Sequence, residues 1–401
     1  HVMKENQHSI DRQLYILSFS KIFKDLATGM LLFFIPLYAA RLDAGIIAEM
    51  PAVLKAGIAT AAFGIANSIS QPFMGRLSDR LNRRKDFLVV GYVIYTLLCI
   101  SYPYTSSLES LTVLRVIQGI AIGATVPAIV AMVTHLSTSS VRGQAIGIYS
   151  SLRGFAFGIG SIIAGGILVI SNFDVGFYIC GFFVLATLLM VQFFVKETAP
   201  PPQPEEPGTP EHANQKEYYV LAVAIFMMMV GITIVLSLLP AYQQRLQTGE
   251  FFLSLAVSAY VISRIIFQTP MGILSDRIER KWIIISGIAV NALIVVGLGH
   301  VIHIEELIIL RIMQGISMAA VETPLMALAV DMTGGHSTGS RISIITSAQA
   351  AGMATGPLFG GILAGYVSFE TPFHICAILI LASGFLILKG VHTKNIRECK
   401  P

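Results

Sequence analysis

The chain has 401 residues, of which 54% are hydrophobic and only 12% charged, with a formal net charge of +4. A soluble domain carries about a quarter of its residues as charges, so a polar exterior is excluded and a bilayer is the expected solvent. The small, dispersed positive balance excludes a nucleic-acid partner, and Cys99, Cys180, Cys376 and Cys399 show neither paired nor metal-ligand spacing.

Apolar runs long enough to cross a membrane, about 20 residues each, follow one another at 15–40, 52–74, 86–106, 108–134, 142–170, 173–195, 217–241, 251–271, 282–302, 305–331, 341–367 and 371–391. They predict an all-α membrane protein of twelve transmembrane helices, since a transmembrane barrel would show alternating segments of about 10 residues. The first run contains Lys21, Lys24 and Asp25 and has no small-residue cleavage site, so it reads as a membrane helix and not a signal peptide. Between the sixth and seventh runs, "KETAPPPQPEEPGTPEHANQK" is rich in Pro and Glu and reads as a solvated linker. The expected organisation is an N-terminal cytoplasmic segment (1–14), a six-helix half (15–195), a cytoplasmic linker (196–216), a second six-helix half (217–391) and a tail (392–401). With both termini cytoplasmic, the inner segments hold eighteen Lys and Arg residues and the outer loops only Arg41, Lys55 and Arg245. That asymmetry follows the positive-inside rule and suits a cell inner (plasma) membrane protein.

Shifted by about 196 residues, the two halves match. Gln71-x-x-Met74-Gly75-x-Leu77-Ser78-Asp79-Arg80-x-x-Arg83 falls on Gln268-x-x-Met271-Gly272-x-Leu274-Ser275-Asp276-Arg277-x-x-Arg280, and Arg115-x-x-Gln118-Gly119 falls on Arg311-x-x-Gln314-Gly315. Arg142-Gly143 is echoed by Gly339 and, out of register, Arg341, and Gly165-Gly166 by Gly360-Gly361. Three ordered echoes at one offset point to duplication. Two parallel six-helix halves predict a site at their interface and rocking between two access states.

These residues carry a family resemblance. The paired G-x-L-S-D-R-x-x-R segments, the Arg-x-x-Gln-Gly helices and Gly356-Pro357-x-x-Gly360-Gly361 resemble the major facilitator superfamily over essentially the whole chain. Asp25, Pro36 and the twelve-helix count look most like its drug:proton antiporter branch. The resemblance implies a conformational latch built from Gly75, Asp79, Arg80 and Arg83 in the first half and Gly272, Asp276 and Arg277 in the second. It also links Arg115 to proton coupling and Asp25 to protons or cationic substrates. Where the family usually has glycine between the last basic residues, this chain has Asn82 and Glu279. Asn82 tolerates a left-handed conformation and Glu279 does so poorly, which predicts a weaker second latch. The helix-packing stretch Gly352-x-x-x-Gly356-Pro357-x-x-Gly360-Gly361, which antiporters typically carry in the fifth span, lies here in the eleventh. In the fifth, Phe157, Ser161 and Ile162 stand at the corresponding positions.

An ionisable residue inside a span is a functional hypothesis by default. Asp25 would carry protons or substrate charge, or simply pair with Lys21 one turn earlier. Glu322, in "SMAAVETPLMALAV", has no cation near it in sequence and is the stronger proton or substrate candidate, or else the partner of one of the intramembrane arginines. Arg153 near the middle of the fifth span cannot discharge itself and needs an anion: Glu322, Asp25 or an acidic substrate. Arg264 is similar but placed nearer the cytoplasmic end of the eighth span, where a latch role competes. Arg115 and Arg311 lie in the outer thirds of their spans, for coupling or for helix packing, and Asp331 reads as a solvated helix end. Methionines such as Met227, Met228, Met229, Met313, Met318 and Met326 suit an adaptable apolar cavity or ordinary helix contacts.

The sequence therefore predicts a monomeric secondary transporter that exports a small organic or amphipathic compound in exchange for protons, within membrane lipids and without a cofactor. The alternative is an organic-anion or lipid transporter centred on Arg153 and Arg264. A phosphate-binding G-x-x-x-x-G-K-[ST] loop is absent, which excludes ATP drive. An enzyme is not expected: His300 and His303 lie near an outer loop without an acidic zinc partner, and His374 is solitary.

Overall fold

The computed structural model of the chain describes residues 2–45, 49–81, 83–136, 142–197, 215–332 and 338–391. The expected linker and tail fall largely outside these, as do Asn82 and the side chains of Asp79, Arg142, Asp331 and Arg341. The described residues form α1 (Val2–Ala40), α2 (Ala52–Leu81), α3 (Arg84–Ser101), α4 (Leu108–Leu136), α5 (Arg142–Ile170), α6 (Phe173–Phe194), α7 (Gln215–Ser237), α8 (Leu239–Arg245), α9 (Glu250–Arg277), α10 (Arg280–His300), α11 (Ile304–Asp331), α12 (Thr338–Tyr366) and α13 (Thr371–Gly390). Ten of these are long and apolar enough to cross a membrane. With α11 and α12, which are 28 and 29 residues long, they make the twelve-helix fold, and α8 is one short helix between α7 and α9.

Helices satisfy their backbone groups within the segment, as lipid requires, and side chains close some of their ends. Asn172 accepts from the Val175 N–H (3.0 Å) at the start of α6. The Glu197 carboxylate accepts from the Arg84 and Lys85 N–H groups (3.1 and 2.9 Å), closing the α3 N-terminus, where negative charge is favoured. At the last residue of α8, Arg245 bonds Glu370 at 2.7 Å and holds that carboxyl below its usual range.

The repeated G-x-L-S-D-R segments differ from the expected exit loops. α2 runs on to Leu81 and α9 to Arg277, so Gly75–Arg80 and Gly272–Arg277 are the last helical turns. Nothing in either segment breaks a helix, and Ser275 bonds back to the Gly272 carbonyl (2.7 Å). The two glycines lie at helix crossings: a Cβ at Gly75 would lie 3.3 Å from Pro127 of α4, and one at Gly272 would lie 3.3 Å from Thr323 of α11. Glu279 sits at φ −57°, ψ 118°, so the second connection needs no left-handed residue.

The repeat is also visible in space. Arg115 Nε donates to the Ala59 carbonyl (3.1 Å) and Arg311 Nε to the Ala256 carbonyl (3.4 Å). Arg115 and Arg311 each bond the glutamine three residues on, Gln118 and Gln314. Arg115 lies over Phe63 (4.4 Å) and Arg311 over Tyr260 (4.6 Å). Gly119 packs on the backbone of Phe63 and Asn67, and Gly315 on that of Tyr260 and Arg264.

Between the halves, α2 packs on α12 and α5 on α9, through small residues that allow close approach. Gly57 faces the Pro357 carbonyl, Gly361 the Val53 carbonyl and Gly365 the Pro51 ring. On the other seam Ser258 bonds the Gly158 carbonyl (2.6 Å). Arg41 and Glu250 pair across the halves at 3.2 Å, at the helix ends opposite the termini. These contacts run from that surface to mid-depth.

Gly57→Val would put its side chain 2.5 Å from the Pro357 carbonyl oxygen, whereas a Cβ at Gly166 meets nothing within 4 Å. We expect Gly57→Val to cost about 1–3 kcal/mol and to lower the melting temperature in detergent, and Gly166→Val to leave it nearly unchanged.

Candidate functional site

Two polar clusters stand inside the bundle, one in each half. In the first, Asp25 is 1% exposed. Its nearest cation is the adjacent Lys24, with Nζ 2.8 Å from Oδ1, while Lys21 Nζ is 3.9 Å from Oδ2. Sequence spacing pointed to Lys21 alone, because i,i+1 side chains do not face each other on a helix. The long lysine stem overcomes that geometry by curling back to the carboxylate.

Arg153 of α5 bears electrostatically on both Lys21 and Asp25. Its own side chain is exposed, lies 5.6 Å from the Phe157 ring centroid, and has no carboxylate within ion-pair distance among the described residues. Neither expected protein anion is its partner, because Asp25 is held by Lys24 and Glu322 by Arg264. Lys21, Lys24, Arg153 and Asp25 together leave an excess of positive charge at this depth.

The second cluster links three helices. Arg264 lies at the middle of α9, deeper than the sequence suggested, because α9 extends six residues beyond the expected span. Its Nη2 is 2.9 Å from Glu322 Oε1 and 2.7 Å from Oε2. Gln349 Nε2 of α12 donates to the same Oε1 (2.7 Å). Hydrogen-bond alignment is good only at Oε1: Oε2, the neighbouring Thr323 hydroxyl and Arg264 Nε are buried without a hydrogen-bond partner. Two residues beyond Glu322, Pro324 lies inside α11 and removes one helical N–H. Tyr260 stands between this cluster and Arg311: it bears electrostatically on Arg264, one turn along α9, while its ring carries the Arg311 guanidinium.

Arg115 and Arg311 themselves are satisfied by carbonyls, glutamine and an aromatic face. That is the helix-packing geometry, and no carboxylate joins either among the described residues. Gln349 and Tyr260 were missed in sequence. Both are ordinary residues on small-residue or aromatic faces, and only their partners give them a role. Met228, Met229 and Met318 are buried in the core, whereas Met313 is exposed.

At the motif ends, Arg80 and Arg83 are exposed. Arg83 lies 3.6 Å from Asp86. Asp276 meets Arg280 at 3.1 Å, tying the end of α9 to the first residue of α10. In α12, Gly352, Gly356 and Gly360 form one row against α7, facing Phe226, Val230 and Ile234. Pro357 and Gly361 form the other row, against α2.

A duplicated bundle of twelve long helices, with ionised groups held inside it, defines an integral membrane transporter. The chain belongs to the Major Facilitator Superfamily, which it matches over residues 17–220 and 221–398. It is a transporter of small molecules, not an enzyme. It is 24% identical to the multi-drug resistance efflux pump PmrA homolog of Lactococcus lactis over 90% of both chains. It is 28% identical to the multidrug resistance protein MdtG of Dickeya zeae over 96% of both. The fold is shared with a crystal structure of a bacterial homolog of the human lysosomal transporter Spinster, in an inward-facing and occupied conformation. That likeness has a TM-score of 0.76 at 12% identity and covers 94% of this chain and 95% of that one.

Removing one partner of the Arg264–Glu322 pair strands the other. Arg264→Ala should therefore destabilise the protein by about 1.5–3 kcal/mol. Arg264→Gln combined with Glu322→Gln should cost clearly less than the sum of the two single changes. A double-mutant cycle on thermal unfolding in detergent measures this coupling.

Proposed function

We propose that the protein is a proton-coupled exporter of small organic or amphipathic compounds, acting as a monomer in the cell's inner membrane with both termini cytoplasmic. The observation that carries the reading is the Glu322 carboxylate. Oε1 accepts from Arg264 and Gln349, and Oε2, 2.7 Å from Arg264 Nη2 in the same ion pair, is buried without an aligned hydrogen bond. A proton on Oε2 would neutralise the carboxylate and loosen its hold on Arg264, so the pair has two states. Because the three side chains come from α9, α11 and α12, exchanging a proton for the ion pair changes how those helices are tied. Efflux is further supported by relatives named as multidrug pumps.

In this orientation the seam from Arg41–Glu250 to mid-depth closes the outer side. The segments 1–14, 196–216 and 392–401 lie in the cytoplasm. The ends of α2 and α9, carrying Asp79 and Asp276, act as latches that re-form when the inner side closes, while their arginines meet anionic headgroups. Asp25 with its lysines tunes the charge of the first half, and Arg115 supports coupling through its helix contacts.

One observation favours a second reading. Arg153 is exposed and has no carboxylate partner among the described residues, which suits an organic-anion or lipid substrate. Arg264 is engaged by Glu322, so that reading rests on Arg153.

Purified protein in liposomes, offered cationic, neutral and anionic compounds, separates the two. We expect a compound that drives proton flux through the native protein, with the flux lost in Glu322→Gln. Transport of anions without proton flux, surviving Glu322→Gln but lost in Arg153→Ala, would overturn the exporter reading in favour of the second.

A further inference from the structure

At the ends of α10 and α13 opposite the termini, two histidines 74 residues apart in sequence come face to face. His300 closes α10 and His374 stands in the first turn of α13. Their Nε2 atoms are 3.0 Å apart and their ring centroids 5.1 Å apart, with the ring planes inclined at 43°. The sequence reading of His374 as solitary is thereby corrected. Its partner comes from a helix that only the tertiary fold brings near.

The pair is held by its surroundings. Next to His300, Gly299 packs so closely on the Phe373 ring that an added Cβ would lie 3.1 Å from it. Next to that, Tyr242 donates to the Leu298 carbonyl (2.7 Å) and packs its ring on Phe369 and Phe373. Val301 and Phe373, the neighbours of the two histidines, are buried. The backbone on both sides is therefore fixed and the two rings meet at the surface.

We propose that His300 and His374 form a two-histidine site for a divalent transition-metal ion of the zinc, nickel or copper class. A hydrogen bond between two imidazole nitrogens requires a lone pair on at least one, the form that ligates metal. Two nitrogens bound to one tetrahedral ion at about 2.0–2.1 Å lie about 3.4 Å apart. An opening of about 0.4 Å from the observed pair admits the ion, and surface water fills the remaining positions. No third His, Cys, Asp or Glu joins them among the described residues, so the site binds reversibly and is not a closed structural centre. Imidazole donors favour these metals over magnesium or calcium. Both ligands belong to the second half, so the ion would clamp α10 to α13 without bridging the halves.

The test uses tag-free protein in detergent, titrated calorimetrically with zinc chloride and nickel chloride, with magnesium chloride as the control. We expect one zinc site of micromolar affinity in the native protein, weakened about tenfold or more in both His300→Gln and His374→Gln. Zinc should raise the melting temperature of the native protein by linkage and leave that of either variant unmoved. The metal-free melting temperatures of the variants should match that of the native protein, and liposome transport should be unchanged. Absence of binding, or binding that survives either substitution, would overturn the proposal.

Discussion

A guanidinium placed in a membrane bundle keeps its charge, and the arrangement of this protein follows from where those charges find acceptors. Arg115 and Arg311 are satisfied by neutral groups: a carbonyl on the neighbouring helix, a glutamine three residues along and an aromatic face. Arg264 is satisfied by a carboxylate. Arg153 reaches an aromatic ring of its own helix and lies beside the lysines that hold Asp25. The same side chain therefore serves as mortar in two places, as half of an ion pair in a third, and as an exposed charge in the fourth.

The internal repeat separates these roles. The two Arg-x-x-Gln helices, present in both halves at the same offset, do the same packing work in both, down to the aromatic ring under each guanidinium. The departures from symmetry carry the distinctive chemistry. Where the second half has Arg264 the first has Asn67, where it has Glu322 the first has Val126, and opposite Arg153 stands Ala348. Duplication supplied a scaffold, and single substitutions on facing helices placed ionised groups inside it. Rows of small residues on both faces of α12 bring α2 and α7 close to it, so the helix that carries Gln349 packs against both halves.

Much of this is written in the sequence, for physical reasons. Helices that must bury about 20 apolar residues declare themselves by length, and ten of the twelve do so on hydropathy alone. The small polar residues of α12 and the ionisable ones of α11 weaken that signal in the two helices that meet at Glu322. Ionisable residues in spans are so costly that Asp25, Arg153, Arg264 and Glu322 stand out individually. Partners are less legible. Lys24, Gln349, Tyr260 and His374 are unremarkable in their own segments and acquire meaning only from a neighbour on another helix or, for Lys24, from a rotamer. Helix ends at the repeated Asp-Arg segments were also hidden, because a charged last turn and a charged loop have the same composition. Gly75 and Gly272 lie at helix crossings inside those last turns.

The central claim is that Glu322 alternates between the Arg264 pair and a bound proton. Infrared difference spectroscopy of the reconstituted protein across a pH titration reports the carbonyl stretch of neutral carboxyl groups directly. The account predicts a carboxyl band that grows on acidification, shifts when a transported compound is added, and is missing in Glu322→Gln. A Glu322 that stays ionised throughout, with identical difference spectra for native protein and Glu322→Gln, would contradict it and leave the pair as a fixed structural tie.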